Sequence, residues 1–116
     1  MPYVPLDSGK LDKQVVIQAS VRVDDGGGGV TINYVDTGMA WASIDPGSGR
    51  EFFEAKQINP ELSHIVKMRY RPNVTAKHRL RYVSNNVIRA FAIHVVSDPL
   101  ERHEQLILIC SEQPVV

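Results

Sequence analysis

Apolar and polar residues alternate with a period of two along much of this chain, the pattern of strands with one face buried. From Lys13 to Val23, Val15, Ile17, Ala19, Val21 and Val23 face one way, and Gln14, Gln18, Ser20 and Arg22 the other. Val30–Val35 and Met39–Ile44 read as two more strands, broken near Asp36-Thr37-Gly38, where a bulge or bend fits. In the second of them Ala40, Ala42 and Ile44 alternate against Trp41, Ser43 and Asp45. Leu62–Arg71 sets His64, Val66, Met68 and Tyr70 against Lys67, Arg69 and Arg71, and Pro72-Asn73 turns the chain. Arg79–Val83 returns with Leu80 and Tyr82 opposed to Arg79 and Arg81. Ser84-Asn85-Asn86 is a turn that tolerates left-handed backbone. Val87–Val96 is a long apolar strand with a central place in the sheet, and Gln105–Cys110 is the last buried strand.

One stretch departs from this rhythm. Pro46-Gly47-Ser48-Gly49 stops a strand, and Arg50–Gln57 (REFFEAKQ) is helix-compatible. Glu51 and Glu54 come early and Lys56 late, the order that suits the helix dipole. Phe52 or Phe53 can turn inward, and Ile58-Asn59-Pro60 ends the helix because proline disfavours it in the preceding residue. On local grounds this is a structural corner built on a buried Trp41. Strands at short, regular spacing with one short helix predict a mainly β chain: a small antiparallel barrel of about six strands. Met1–Lys10, with two prolines and no periodicity, reads as an arm. Asp24-Asp25-Gly26-Gly27-Gly28-Gly29 reads as a flexible hairpin tip. No Gly-Lys-Ser/Thr follows it, so it is not a phosphate-cradling loop.

At 116 residues there is room for one domain. Zero formal net charge argues against indiscriminate adhesion to nucleic acid or membrane. The lone Cys110 excludes an internal disulfide and suits a reducing compartment, and no segment is long and apolar enough to be a membrane helix. These features fit a soluble intracellular product or a particle component assembled from one.

The spelling of the corner, WAS followed by P-x-S-G-R-E, resembles the phage head-tail joining proteins, also called head-closure proteins or head-tail adaptors. Gly9–Gln18 resembles the opening strand of that family, Ser63–Tyr82 its central hairpin with an RYR…T…R pattern, and Asp98–Glu112 its final strand. One departure is visible: Tyr34 sits near where the family often has a tryptophan. The resemblance implies a virion protein at the head-tail neck, assembled from the host cytoplasm into a ring, commonly dodecameric. Such a ring joins a portal-adaptor ring to a tail component after DNA packaging and keeps the genome in. It needs no catalytic residue, metal or cofactor. Asp24, Asp25, Gly26, Gly27, Gly28 and Gly29, the corner pair Arg50 and Glu51, and the tail Pro114, Val115 and Val116 are the expected interface segments. The isolated chain is expected to be monomeric.

Charge is unevenly laid out. Leu62–Ser97 contains no acidic residue but holds Lys67, Arg69, Arg71, Lys77, Arg79, Arg81 and Arg89. If the strands of Ser63–Arg71 and Arg79–Val83 pair, Lys67, Arg69, Arg71, Arg79 and Arg81 crowd one face. Like charges on paired strands repel by up to about 1 kcal/mol per pair, so something acidic should meet them. The protein's own carboxylates, a partner subunit's acids, and the phosphates of genomic double-stranded DNA all qualify. An OB-like barrel holding single-stranded nucleic acid is the rival reading. Against it, Tyr70 and Tyr82 alternate with the arginines and so point to the opposite face. Catalytic patterns are poor: His64, His78, His94 and His103 lack metal-ligand spacing, and Cys110 lies in an apolar run.

Overall fold

A computed structural model describes residues 8–113, so Pro114, Val115, Val116 and most of the expected N-terminal arm lie outside the described residues. After one 3-10 turn at Ser8–Lys10 come β1 (Lys13–Asp24), β2 (Val30–Pro46), α1 (Arg50–Ile58), β3 (His64–Arg69), β4 (His78–Ser84), β5 (Val87–Ser97) and β6 (Gln105–Gln113). Every pairing is antiparallel, and the strands close on themselves in the order β1-β2-β3-β6-β5-β4. The alternating apolar residues fill the interior, where Phe91, Met68, Leu80, Leu108, Val15, Val66 and Cys110 are fully buried. A second, smaller cluster lies outside the wall. Phe52 of α1 packs with Leu62 and Ile109, against Ala55 and Ile65, so the helix covers the outer face of β3 and β6.

The corner depends on two glycines for different reasons. Gly49, at the helix N-cap, has φ 94°, a left-handed value that favours glycine. Gly47 lies under the buried Phe52 ring, where an added Cβ would fall within the ring itself. The chain then returns through hydrogen bonds from Gly47 N to Ser63 O (2.9 Å) and from Ser63 N to Cys110 O (3.0 Å). Asn59 ends the helix as expected, its N–H donating to Ala55 O. Asn85 and Asn86, both at positive φ, make the two-residue turn between β4 and β5.

Three expectations are corrected. The segments 30–35 and 39–44 are one strand, with Thr37 as the extra residue of a bulge: Ile17 faces Gly38 and Gln18 faces Asp36. The Thr37 hydroxyl donates to Ile17 O (3.0 Å), so the bulge bends the ladder without ending it. Secondly, β3 and β4 do not form a hairpin. They stand on opposite walls of the six-strand ring, because the link between them crosses one end of the barrel and drops Val74 into the core. Thirdly, Trp41 is not buried. It faces outward and is 56% exposed, since the inward positions of β2 belong to Ala42 and Ile44.

The β1–β2 hairpin is longer than the barrel needs. β1 pairs with β4 only over Val16–Ala19, and β2 pairs with β3 only over Ala42–Pro46. From Ser20 to Thr37 the ribbon has no strand pairing with either neighbour, and every residue but Gly29 is exposed. Val21 and Val23 on β1 and Val30, Ile32, Tyr34 and Val35 on β2 leave apolar side chains open on both faces of the ribbon. It ends in a stitched turn rather than a bare glycine loop: Asp25 Oδ1 accepts from Gly27 N (2.8 Å) and Gly29 N (3.0 Å), and Asp24 Oδ1 from Gly26 N (3.1 Å). The two aspartates therefore have a structural use, satisfying donors that a tetraglycine turn leaves over.

Candidate interaction surfaces

The expected single basic face is divided. Lys67 and Arg69 lie on the wall of β3, and Arg79 and Arg81 on the opposite wall. Arg71, Arg79 and Arg81 each have a local arrangement of their own. Arg71 donates from Nη1 to Met39 O (2.7 Å), closing one backbone acceptor on the free edge of β2. It can do so because Gly38 is bare: a Cβ there would lie 2.6 Å from Arg71 Nη2. Arg79 stacks over Tyr34, its Cζ 3.5 Å from the ring centroid, and its Nε donates to Gln18 Oε1 (2.8 Å). Gln18, only 6% exposed, passes the link on from Nε2 to Asp36 Oδ1 (2.8 Å). Arg81 reaches the same carboxylate only at 3.9 Å, and its buried Nε has no hydrogen-bond partner. Arg79 thus reaches Asp36 only through Gln18, and Arg81, which faces that acid directly but at 3.9 Å, is the poorer served.

Around Arg81 the outer wall is hollowed into a groove of about 350 Å³, lined by Gln14 and Val16 of β1, Met39 and Trp41 of β2, and Tyr82 and Val83 of β4. Met39, Trp41 and Val83 are all more than half exposed. Tyr82, one residue on from Arg81, packs partly against the core. Arg50 and Glu51 open α1 on the far side of the barrel; Arg50 pairs with Glu54 (3.3 Å), an exposed contact of small energetic weight.

Three histidines meet a hydroxyl: His78 Nδ1 lies 3.0 Å from Thr75 Oγ1 in the turn before β4, and His94 and His64 reach Ser111 and Ser63. His94 is the extra residue of a bulge in β5. Asn59 Oδ1 accepts from Glu61 N (3.1 Å), so its Nδ2 donates to His94 Nδ1 (3.1 Å). His94 Nε2 then carries the proton and donates to Ser111 Oγ (2.9 Å), the reverse of general-base geometry. The cluster is a strut that ties the end of α1 to β5 and β6. Nothing in the sequence spacing of Asn59, His94 and Ser111 announces it. His64 sits by Ser63 Oγ (2.7 Å) at the barrel mouth, where Arg89 grips both oxygens of Glu112 (2.9 and 3.1 Å) and leaves His64 Nε2 at 4.0 Å from that carboxylate. Burial pushes the Cys110 thiol up to about 12, which makes it an inert core residue. Among the described residues, no group of three His, Cys, Asp or Glu converges on a metal position.

The mouth cluster sets the acid response. Burial holds His64 below its ordinary value of 6.5, and the hydrogen bond from Arg89 holds Glu112 below 4.5. Both folded values lie below the unfolded ones, so both contributions are present at high pH and are lost as pH falls through the folded values. Thermal stability is expected to be level above about pH 7.5 and to decline below 6.5, first through His64 and then through Glu112. In a His64→Gln variant the decline should begin only near the carboxylate range; an unchanged profile by scanning calorimetry would refute the assignment.

The features together define a class: a small antiparallel β-barrel with a projecting hairpin and one helix on its outer wall. A scan of protein-family profiles matches residues 6–113 to the phage head completion protein family. The chain belongs to that family and is a virion structural protein of the phage head-tail region. Two solved structures share the fold. A protein from Shigella flexneri 2a, known as a solution structure, is 23% identical, with TM-score 0.66, covering 92% of this chain and 96% of that one. A chain in the virion of a native gene transfer agent particle is 22% identical, with TM-score 0.57, covering 90% of this chain and 96% of its own. No curated protein sequence matches.

Proposed function

We infer that this chain, acting as one domain over its whole length, is a head-closure subunit. Copies form a ring, a dodecamer in the particle, on the portal-adaptor ring in the neck; the ring closes the DNA-filled head and offers its other rim to a tail component. The isolated chain is a monomer that joins from the host cytoplasm. The observation that carries this reading is the two-faced β1–β2 ribbon. A monomer gains nothing from valines and an isoleucine left open on both sides of a projecting hairpin, whereas an assembled subunit can bury them.

The magnitudes agree with assembly on a template. Covering the open halves of Val21, Val23, Val30, Ile32, Tyr34 and Val35 contributes about 1 kcal/mol each. That sum is comparable with the roughly 4–15 kcal/mol that association costs in lost freedom. A lone pair of subunits therefore stays apart, and a platform that has already ordered the neighbours tips the balance. Asp24–Gly29, Arg50 and Glu51 remain our interface segments. Lys67 and Arg69, which form no ion pair among the described residues, are the cations available to an acidic neighbour or to passing duplex. Arg79 is taken up by Gln18 and Tyr34, which weighs against the OB-like nucleic-acid reading. Omitting the protein from an assembly reaction tests the function: heads should fill and then lose their DNA. Heads that stay full and accept tails without it would end the reading.

A further inference from the structure

The groove around Arg81 and the outward face of α1 stand on opposite sides of the barrel. The groove is centred on β1, with β2 and β4 at its flanks, and α1 covers β3 and β6. In the six-strand ring β1 and β6 are diametrically opposed. With Phe52 and Ala55 turned to the wall, the turn of 100° per residue puts Arg50, Phe53, Glu54, Gln57 and Ile58 on the outward side. Phe53 is 56% exposed and Ile58 is 89% exposed, both large for apolar side chains on a helix of nine residues. Glu51 and Glu54 flank Ile58 on the same arc. Each surface thus holds what the other lacks: one has exposed Met39, Trp41 and Val83 around an under-partnered guanidinium, and the other has projecting apolar side chains beside carboxylates.

We propose that the groove of one subunit receives helix α1 of the next copy, with Ile58 and Phe53 against Trp41 and Met39 and a carboxylate of Glu54 or Glu51 on Arg81. Two different surfaces on opposite walls make a heterologous contact, the kind that propagates head to tail and closes when the rotation per subunit fits. The new ion pair would give the terminal nitrogens of Arg81 a carboxylate nearer than Asp36, which stands off from Nη2 at 3.9 Å. Its size is also telling. A nine-residue helix is about 13 Å long and about 10 Å wide, so it covers a few hundred Å² at most. That is well below the roughly 800 Å² per partner of stable complexes. The contact sets register between subunits already gathered on a platform, and does not hold a free dimer. This inference rests on the ring reading above and adds which surfaces form the seam.

Cysteine pairing in assembled particles decides it. Gln14→Cys at the groove margin and Gln57→Cys on the helix are placed in separate full-length chains, which leaves the apolar contacts and charges intact; buried Cys110 does not compete. Under oxidation, particles assembled from a mixture should yield a disulfide dimer, and chains carrying both substitutions should yield a ladder of higher multimers. In parallel, Arg81→Glu should cut incorporation into particles more than tenfold while the denaturant midpoint of the free chain falls only slightly, from the lost Asp36 contact, and Glu54→Arg in the same chain should restore incorporation. Particles that contain a ring of this protein but give no dimer overturn the proposed seam and leave the ring standing. Crosslinking of Gln14→Cys to a different virion protein also overturns the seam, by assigning the groove another occupant. Particles with no ring at all overturn both.

Discussion

Gly47→Ala is expected to destabilise the protein by about 3 kcal/mol, although it adds one methyl group at a position that is not itself fully buried. The Cβ would occupy the space of the Phe52 ring, and Phe52 is 3% exposed within a cluster of only three buried residues, so little can move aside. Two outcomes are open to the chain. Either the ring tilts and strains Leu62 and Ile109, at about 1–3 kcal/mol, or it leaves, forfeiting the larger cost of losing a buried phenylalanine. Shortening the ring should relieve the clash. Gly47→Ala combined with Phe52→Leu is predicted to be less destabilised than the sum of the single changes, the sign of a direct contact. Gly27→Ala, at the hairpin tip, is the control: its Cβ would meet Asp25 at an ordinary 3.6 Å. Urea unfolding of the four variants reads all of this, and a Gly47→Ala midpoint equal to that of the parent would contradict the packing described.

The second large effect is functional and should leave the fold almost untouched. Ser20 and Tyr34 face each other in the β1–β2 ladder, so Val21–Asn33 can be replaced by Asn-Gly to give a short hairpin. Twelve of the thirteen removed residues are exposed and the other is Gly29, so the stability change should stay within about 1 kcal/mol. Tyr34 and its contact with Arg79 are retained. Particles assembled with the shortened chain should nevertheless fail to retain DNA, because the surface that we assign to assembly is gone. Normal retention, measured as nuclease-resistant genome per particle, would show that the ribbon is ornamental.

How much of this was readable beforehand depended on whether the determinant was local. Val15, Ile17, Ala42, Ile44, Val66, Met68 and Leu80 were placed inside the barrel by alternation alone, because strand geometry fixes the face of each residue. The helix and its stop at Asn59 were equally legible. The partner of a strand is not a local property. Two arginine-bearing strands that follow one another looked like a hairpin, and only the descent of Val74 into the core shows why the link spans the barrel instead. Trp41 was misplaced for a related reason: its bulk argued for burial, while its phase between Ala42 and Ala40 already put it outside. The cluster of Asn59, His94 and Ser111 and the chain from Arg79 through Gln18 to Asp36 join residues from distant parts of the sequence, which no spacing rule reaches.

The most direct test of a subunit whose surfaces are meant for its own neighbours is cryo-microscopy of the particle neck. We predict a closed ring in which barrels of this chain stand side by side above the portal adaptor, each β1–β2 ribbon lying against protein on both faces. A neck without such a ring, or a ring whose ribbons project freely into solvent, would contradict the account.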